Sequence, residues 1–321
     1  MVQWIAPSRL KTLGILGMNC RNREFIGRYN DRRLYPLVDN KLKTKLLAEE
    51  YGVPTPALQF VVREQHEISH IEDQLSERDT FVLKPAKGSG GKGILVIIGR
   101  DGDDFVKSSG VQVSWSDIRR HMSNTLAGLY SLGGNPDVVV IEDLIAFDES
   151  FRGFSHEGVP DIRIIVFRGY PVMAMLRLAT HASDGKANLH QGAVGVGLAL
   201  EDGRCLNAVQ FSEKILLHPD TGRPLKDVRI ADWRQMLILA ARCYEMTGLG
   251  YIGTDLVVDS ERGPQLLELN ARPGLAIQIA NGLGLLPRLR HVEGLSVKLH
   301  ATPSERVDYV MAQFASADGG A

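Results

Sequence analysis

Two groups of residues have types and spacings suited to chemistry. The first is the run KPAKGSGGKG, residues 84–93, where Gly88, Gly90 and Gly93 stand in GxGxxG spacing among Lys84, Lys87 and Lys92. Glycines let backbone N–H groups turn toward one point, and such groups together with ammonium groups around one loop form an anion site. The second is Asp255, Glu268 and Asn270 within GTDLVVDSERGPQLLELNARPG. That stretch reads as two strands joined by a turn containing Gly-Pro. With the hairpin centred near Glu261 and Arg262, Asp255 falls opposite Glu268, and Asn270 shares the face of Glu268 because side chains alternate with period two. Two facing carboxylates in an apolar hairpin repel one another, so a cation between them is expected. Oxygen donors without His or Cys suit Mg²⁺, with Mn²⁺ as a substitute. Each group also has a plainer reading, a flexible hairpin loop for the glycines and a solvated hairpin face for the acids.

The elements around these groups narrow the choice. A dinucleotide-binding turn needs a helix after the glycines, yet TFVLKPA before them and GILVIIG after them both read as strands, the second as a buried one. A Walker loop fails as well, because Gly91-Lys92 is followed by Gly93 rather than Ser or Thr. The glycines therefore read as a hairpin tip folding over a nucleotide. Upstream, NKLKTKLLAEEYGVPTP predicts a helix with Leu42, Leu46 and Leu47 on one face, Gly52 at its stop and Lys41 in its first turn. A cation at that end opposes the helix dipole, which suggests a partner anion or else simple solvation. Further strands are expected at residues 58–64, in VVVIEDLI and in the pair DIRIIVFRGYPVMAMLRLAT. An acidic helix is expected in ISHIEDQLSER. An amphipathic helix is expected from residue 114, with Ile118, Met122, Leu126 and Leu129 inward. PSRLKTLGILGM predicts a short helix, and the Arg-rich stretch after it reads as turns. The break at Gly133 to Pro136 is the expected lobe boundary. It gives a basic N-terminal segment 1–36, a small lobe 37–135, a larger lobe 136–300 and a tail 301–321.

Composition excludes several classes. The 321 residues are 44% hydrophobic, enough for more than one lobe, and 37 Lys plus Arg against 38 Asp plus Glu leave a net charge of −1. No global field attracts nucleic acid or an anionic membrane. Cys20, Cys205 and Cys243 lie far apart in no metal spacing, as inert thiols of a reducing compartment do. No apolar run approaches the roughly 18 residues of a spanning helix, and no signal-peptide core is visible at the start. A soluble cytoplasmic protein is expected.

In order and approximate spacing, NKLKTKLLAEEYGVPTP, FVLKPAKGSGGKGI, VVIEDLI, DIRIIVF, KANLHQGA and GTDLVV…LLELNARPG resemble the ATP-grasp carboxylate–amine ligases, with closest similarity to the RimK-like α-L-glutamate ligases. The resemblance spans residue 37 to about residue 285. It implies an α+β fold of two lobes clasping ATP. It also implies roles: Lys41 and Lys84 on the phosphates; Gly88, Ser89, Gly90, Gly91, Lys92 and Gly93 as the flap; Glu142, Asp143, Leu144 and Ile145 as the hinge holding adenine and ribose. Asp161 would be a further nucleotide contact, and Lys186 with Asn188 a pair near the γ-phosphate. Asp255, Glu268 and Asn270 would hold two Mg²⁺ ions. Arg272, with Arg163 and Arg177, would stabilise the oxyanion during amide formation, although each arginine also reads as an ion-pair residue. The implied reaction joins an amino acid, such as glutamate, to a carboxylate-bearing small molecule, peptide or protein; a homo-oligomer is compatible with it. His190 is either a base for the amine or a structural histidine.

Two features depart from the RimK-like pattern. About forty residues precede Lys41, too few for the usual Rossmann-like domain of roughly a hundred; the stretch Arg21 to Arg33 is expected to bind an acidic substrate in its place or to be a solvated face. The loop between Glu142 and Asp161, with Phe147, Phe151, Phe154 and His156, looks lengthened and is the expected acceptor pocket. A small-molecule phosphotransferase and a non-catalytic nucleotide-binding protein remain as alternatives.

Overall fold

A computed structural model describes residues 6–88, 90–155, 158–296 and 301–318. The chain divides into two compact units: Pro36–Ala146, and the N-terminal residues up to Tyr35 together with Phe147 onward.

The first unit is built on an antiparallel sheet of β1 (Leu58–Val62), β2 (Phe81–Pro85), β3 (Leu95–Asp101), β4 (Asp104–Lys107), β5 (Gln112–Val113) and β6 (Val139–Glu142), in the order β1-β6-β2-β3-β4-β5. Helices Glu67–Ser76 and Trp115–Leu126 lay Ile68, Ile71, Leu75, Ile118 and Met122 against Phe81, Leu83, Ile97 and Ile141, all buried. Ser114 starts the second helix through a capping box with Asp117, satisfying backbone N–H groups that would otherwise lack partners. Two expectations shift here. The helix ends at Leu126, which leaves Leu129 67% exposed rather than inward. β3 alternates instead of lying buried throughout, with Ile97 inside and Ile98 facing solvent. The break expected at Gly133 to Pro136 lies inside this unit, because β6 returns to pair with both β1 and β2.

The second unit carries a seven-stranded antiparallel sheet of β7 (Asp161–Phe167), β8 (Tyr170–Leu178), β9 (Val194–Leu198), β10 (Cys205–Gln210), β11 (Glu213–Lys214), β12 (Tyr251–Asp259) and β13 (Gly263–Asn270). Its order is β11-β10-β9-β8-β7-β12-β13. Helix Trp233–Thr247 packs on β7, β8, β12 and β13, and helix Pro303–Asp318, in place of the expected tail, packs on that helix and on β8. The stretch read as turns is helical from Met18 to Tyr29, with a π-helical centre at Arg21–Ile26. It is held by Phe25, whose ring meets Phe167 and Tyr251, and by Asn30, which exchanges hydrogen bonds with the backbone of Tyr251. Its arginines are largely engaged: Arg21 donates to the Pro273 carbonyl, while Arg23, Arg28 and Arg33 pair with Glu24, Glu293 and Asp31. Arg23, Arg28 and Arg33 remain 85%, 57% and 89% exposed, in keeping with the solvated face that the sequence also allowed.

The expected acceptor loop is also different in kind. Phe151 and Phe154 are each 2% exposed, and Arg223 covers the ring of Phe154, so both aromatics serve the core; only Phe147 reaches the surface, and His156 lies outside the described residues. No helix among the described residues is long and apolar enough to cross a membrane. The thiols are graded in access. Cys243 is buried, donates to the Leu239 carbonyl, and burial pushes its pKa up to about 12, whereas Cys20 and Cys205 are half-buried. Because the thiolate is the reactive form and burial also pushes up the Cys205 thiol, iodoacetamide should label Cys20 in the folded protein, Cys205 more slowly, and Cys243 only in denaturant, as read by peptide mass mapping.

Candidate active site

In the first unit, Asn40 caps helix Lys41–Glu50 by accepting from the Lys43 N–H at 3.1 Å. The cap fixes Lys41, whose backbone N–H reaches the Ala86 carbonyl and whose Nζ donates to the Gly88 carbonyl at 2.8 Å. The lysine at the helix start thus grips the glycine loop. One turn on, Lys45 is buried, although the sequence pattern assigned that face to leucines and Leu46 is in fact 49% exposed. Its ammonium lies 2.7 Å from Glu142 Oε2 and also donates to the Pro56 carbonyl. Lys84 pairs with the other oxygen of Glu142. Sequence reasoning missed Lys45; its signal was the four-residue spacing from Lys41, which places both on one helix face.

This cluster holds two ammonium groups and one carboxylate, with side-chain exposures of 8%, 5% and 3% for Lys45, Lys84 and Glu142. Burial lowers the pKa of Lys45, outweighing the attraction of Glu142. The surplus positive charge is an environment that a phosphate would neutralise. The Glu142 carboxylate, expected on ribose, is instead occupied by the lysines. Asp143 accepts from Gln59 at 2.6 Å and pairs with Arg78 at 3.5 Å, while Leu144 and Ile145 follow β6 in half-buried irregular backbone.

The glycine loop joins β2 to β3, which pair from Leu83↔Leu95 outward, so the hairpin expectation holds. Of the three lysines expected around it, Lys84 turns to Glu142, Lys87 donates to the Pro136 carbonyl at 3.0 Å and Lys92 is exposed. Ser89 lies outside the described residues. Gly93 has φ +76° and a Cβ there would sit 2.4 Å from Cγ of Tyr130; Gly90 has φ +64° but open space around it. Alanine at either position incurs the left-handed cost of about 1–2 kcal/mol. Gly93→Ala adds an overpacking cost of about 1–3 kcal/mol, so its denaturation midpoint should fall clearly below that of Gly90→Ala.

In the second unit, register brings the site together. Asp161 lies opposite Arg177, Arg163 opposite Asp255, and Asp255 opposite Glu268, with Asn270 two positions on. Directly opposed residues share a face, so all six project from one side of the sheet. The guanidinium of Arg163 grips Asp255 through two bonds, Nε–Oδ1 at 2.7 Å and Nη2–Oδ2 at 2.5 Å. Arg177 reaches Asp255 at 2.7 Å and holds Asp161 through two more bonds. The alternating chain Arg163–Asp255–Arg177–Asp161 is charge-neutral, with both carboxylates buried and both guanidinium groups partly buried. The charge of Asp255, argued above from its facing carboxylate alone, is thus offset in part by two guanidinium groups.

Burial alone would raise the Asp255 pKa, but Arg163 and Arg177 outweigh it and hold the carboxyl at about 2. Asp161 goes the other way, to about 6, through burial and the Asp255 charge, with Arg177 opposing. The Asp161 and Asp255 carboxylates in turn raise Arg177 against the effect of its own burial. Glu268 is half-buried beside Asp255, and the Asn270 Oδ1 accepts from the Arg272 N–H at 2.8 Å, which leaves that oxygen a second lone pair. Among the described residues no group of three or more His, Cys, Asp and Glu is arranged to hold a metal. Asp255, Glu268 and Asn270 share one face and offer oxygen donors only, the kind a hard cation takes, while both Asp255 oxygens accept from Arg163 and Arg177.

Arg272 is exposed, its guanidinium 5.3 Å from the ring centre of Tyr35. Lys186 is exposed and pairs with Asp184 at 3.0 Å. Asn188 caps the turn Leu189–Gln191, accepting from the His190 N–H, and His190 is exposed. Both Lys186 and Asn188 lie in the loop that follows β8, the strand of Arg177.

The family model for sugar-transfer associated ATP-grasp matches residues 20–294. Among solved structures, the ATP-grasp ligase PsnB complexed with minimal precursor is similar at 14% identity and TM-score 0.41, covering 89% of this chain and 63% of that one. D-alanyl-alanine synthetase A from Vibrio cholerae O1 biovar eltor is similar at 12% identity and TM-score 0.46, covering 88% and 66%. D-cycloserine synthetase DcsG is similar at 18% and 0.45, covering 87% and 72%. The chain thus spans somewhat under two thirds of the length of PsnB. No curated protein sequence matches the chain.

Proposed function

This chain belongs to the sugar-transfer associated ATP-grasp family, with its α+β fold, and we propose that it is an ATP-dependent carboxylate–amine ligase working through an acyl phosphate. The observation that carries the reading is the shared sheet face on which Arg163 and Arg177 stand beside the oxygen donors Asp255, Glu268 and Asn270. The family match does not extend to the RimK-like subtype, so glutamate is one amino acid among several to be tried as the amine.

In this reading, Lys41 and the Lys45–Glu142–Lys84 cluster receive the phosphates of ATP, and Gly88 to Gly93 cover them. The backbone of Glu142 to Ile145 lines the adenine. Lys186 and Asn188 approach the terminal phosphate. Asp255, Glu268 and Asn270 would hold Mg²⁺, with Mn²⁺ as a substitute and two ions as the expected number, and the bound metal would supply positive charge to offset that of the transferring phosphoryl group. A substrate carboxylate oxygen attacks the γ-phosphorus, and the bond to the β-phosphate oxygen breaks, giving an acyl phosphate and ADP. The amine nitrogen then attacks the acyl carbon, phosphate leaves with its bonding pair, and the amine proton passes to solvent. Arg272, exposed at the end of the acidic strand, is assigned to the oxyanion of that second step. Arg163 and Arg177 are assigned to holding Asp255 ionised and aimed, a positioning role their ion pairs support.

The test uses Mg²⁺, ATP and hydroxylamine with a panel of amino acids, small carboxylic acids and short peptides. The reading expects hydroxamate with equal amounts of ADP and phosphate. A stable phosphorylated product would replace it with a phosphotransferase, and AMP with pyrophosphate would refute the acyl-phosphate route. The acceptor is proposed to be a carboxylate-bearing small molecule, peptide or protein, and the compartment the cytoplasm, where the three free cysteines stay reduced.

A further inference from the structure

The glycine loop is anchored unevenly, and the anchors all belong to the first unit. At its entry, the Lys87 N–H donates to Asp137 Oδ2 at 2.8 Å, and Gly88 forms a bridge with Ser131, whose hydroxyl donates to the same Asp137 oxygen at 2.7 Å. Asp137 itself is 4% exposed. At the exit, the His121 Nε2 lies 2.9 Å from the Gly93 carbonyl, and the Tyr130 ring lies so close to Gly93 that a Cβ there would be 2.4 Å from its Cγ. His121 and Tyr130 stack with ring centres 5.1 Å apart at 28°. Between these anchors, a Cβ at Gly90 or Gly91 would meet nothing within 4 Å.

The chemistry of the exit anchor fixes a tautomer. A carbonyl can only accept, so Nε2 carries the hydrogen, and in the neutral ring Nδ1 becomes an acceptor for the Tyr130 hydroxyl 3.4 Å away. Burial lowers the His121 pKa more than the Gly93 carbonyl raises it, in keeping with that neutral ring. The relay runs from the Tyr130 O–H through the imidazole to the Gly93 C=O. It joins helix Trp115–Leu126 and the segment after it to the point where the loop re-enters β3.

We propose that His121 and Tyr130 are positioning residues that fix the exit of the glycine loop, so that closure over a nucleotide moves only the tip around Gly90 to Lys92. The inference rests on the reading that this loop covers ATP. A loop hinged at both ends would sample many orientations and forfeit affinity in ordering them on binding; a loop rooted at both ends gives up only the freedom of its tip. His121→Leu removes the donor, His121→Gln restores an N–H near the position of Nε2, and Tyr130→Phe keeps the ring but removes the hydroxyl.

Two readouts separate the proposal from its premise. Hydrogen–deuterium exchange on the nucleotide-free protein should quicken in the peptide covering the glycine loop and the start of β3 in His121→Leu, and return toward wild type in His121→Gln. The apparent KM for ATP should rise roughly fivefold in His121→Leu, about the factor one net hydrogen bond represents, with kcat changed less than twofold, and recover in His121→Gln. Tyr130→Phe should fall between. Unaltered exchange in His121→Leu, or equal losses in His121→Leu and His121→Gln, would overturn the latch. Faster loop exchange with an unchanged KM would overturn its link to nucleotide closure. Should the wild-type protein turn over no ATP, the functional reading fails by that result alone, while the exchange measurement still decides whether the anchor holds the loop.

Discussion

Replacing Glu142 with alanine should unfold the first unit at markedly lower denaturant. The carboxylate sits between Lys45 and Lys84, all three side chains at most 8% exposed, and its loss strands two buried ammonium groups without their counter-charge. Removing one partner of a buried ion cluster typically costs about 3–5 kcal/mol. A urea titration followed by far-ultraviolet circular dichroism would read it as a lower midpoint. The triple replacement Lys45→Met, Glu142→Leu and Lys84→Met provides the contrast. Apolar groups of similar volume often match or exceed a buried ion cluster in stability, so this variant should regain most of the lost midpoint while failing to bind ATP. Recovery of both properties would mean that the cluster has no part in nucleotide recognition.

The second large effect is expected for Asp255→Asn. The amide keeps the shape of the side chain but cannot neutralise two guanidinium groups. Arg177 retains Asp161, whereas Arg163 loses its carboxylate partner. A destabilisation of about 3–5 kcal/mol is expected, together with loss of measurable ligation. Asn270→Ala separates stability from chemistry, because Asn270 touches none of the ion pairs and its one described bond is to the Arg272 N–H. It should change stability by about 1 kcal/mol or less and lower kcat on the order of a hundredfold. Equal kcat values for Asn270→Ala and the wild-type protein would remove Asn270 from the reaction.

The acidic hairpin was legible because a strand face follows from counting. A turn placed near Glu261 and Arg262 puts Asp255 opposite Glu268, and the structure has that pair, but it reaches it through a bulge: Asp259 faces Gly263 and Leu256 faces Leu266, and the register shifts by one between Leu256 and Asp255. The loop between two strands was legible for the same reason. What local pattern does not contain is strand order. Arg163 is 92 residues from Asp255, and Arg177 is 78; only the arrangement β8-β7-β12-β13 makes them neighbours. A repulsion argued from two carboxylates therefore overlooked the two cations that answer it.

Burial of charge was equally hidden. Lys45 sits on a helix whose leucines suggested an ordinary apolar face, yet the inward position goes to the ammonium because Glu142 and the Pro56 carbonyl are there to receive it. The Gly- and Pro-rich stretch at residues 133–136 resembles an interdomain linker in composition. It is instead the return path that carries β6 into the middle of a sheet. Aromatic residues in the 147–154 loop suggested a ligand pocket, whereas Phe151 and Phe154 complete the core. In each case a local sequence reading met a tertiary partner it had no means to see.

On the proposed reading, a single Mg²⁺-bound ATP is recognised through the acidic sheet face. Calorimetric titration of ATP into the wild-type protein and into Glu268→Gln, with Mg²⁺ and with chelator, tests it most directly. The expected result is one nucleotide per chain, bound tightly by the wild-type protein only when Mg²⁺ is present, and a Mg²⁺ enhancement largely lost in Glu268→Gln. Equal affinity with and without the cation in the wild-type protein, or an undiminished enhancement in the variant, would contradict it.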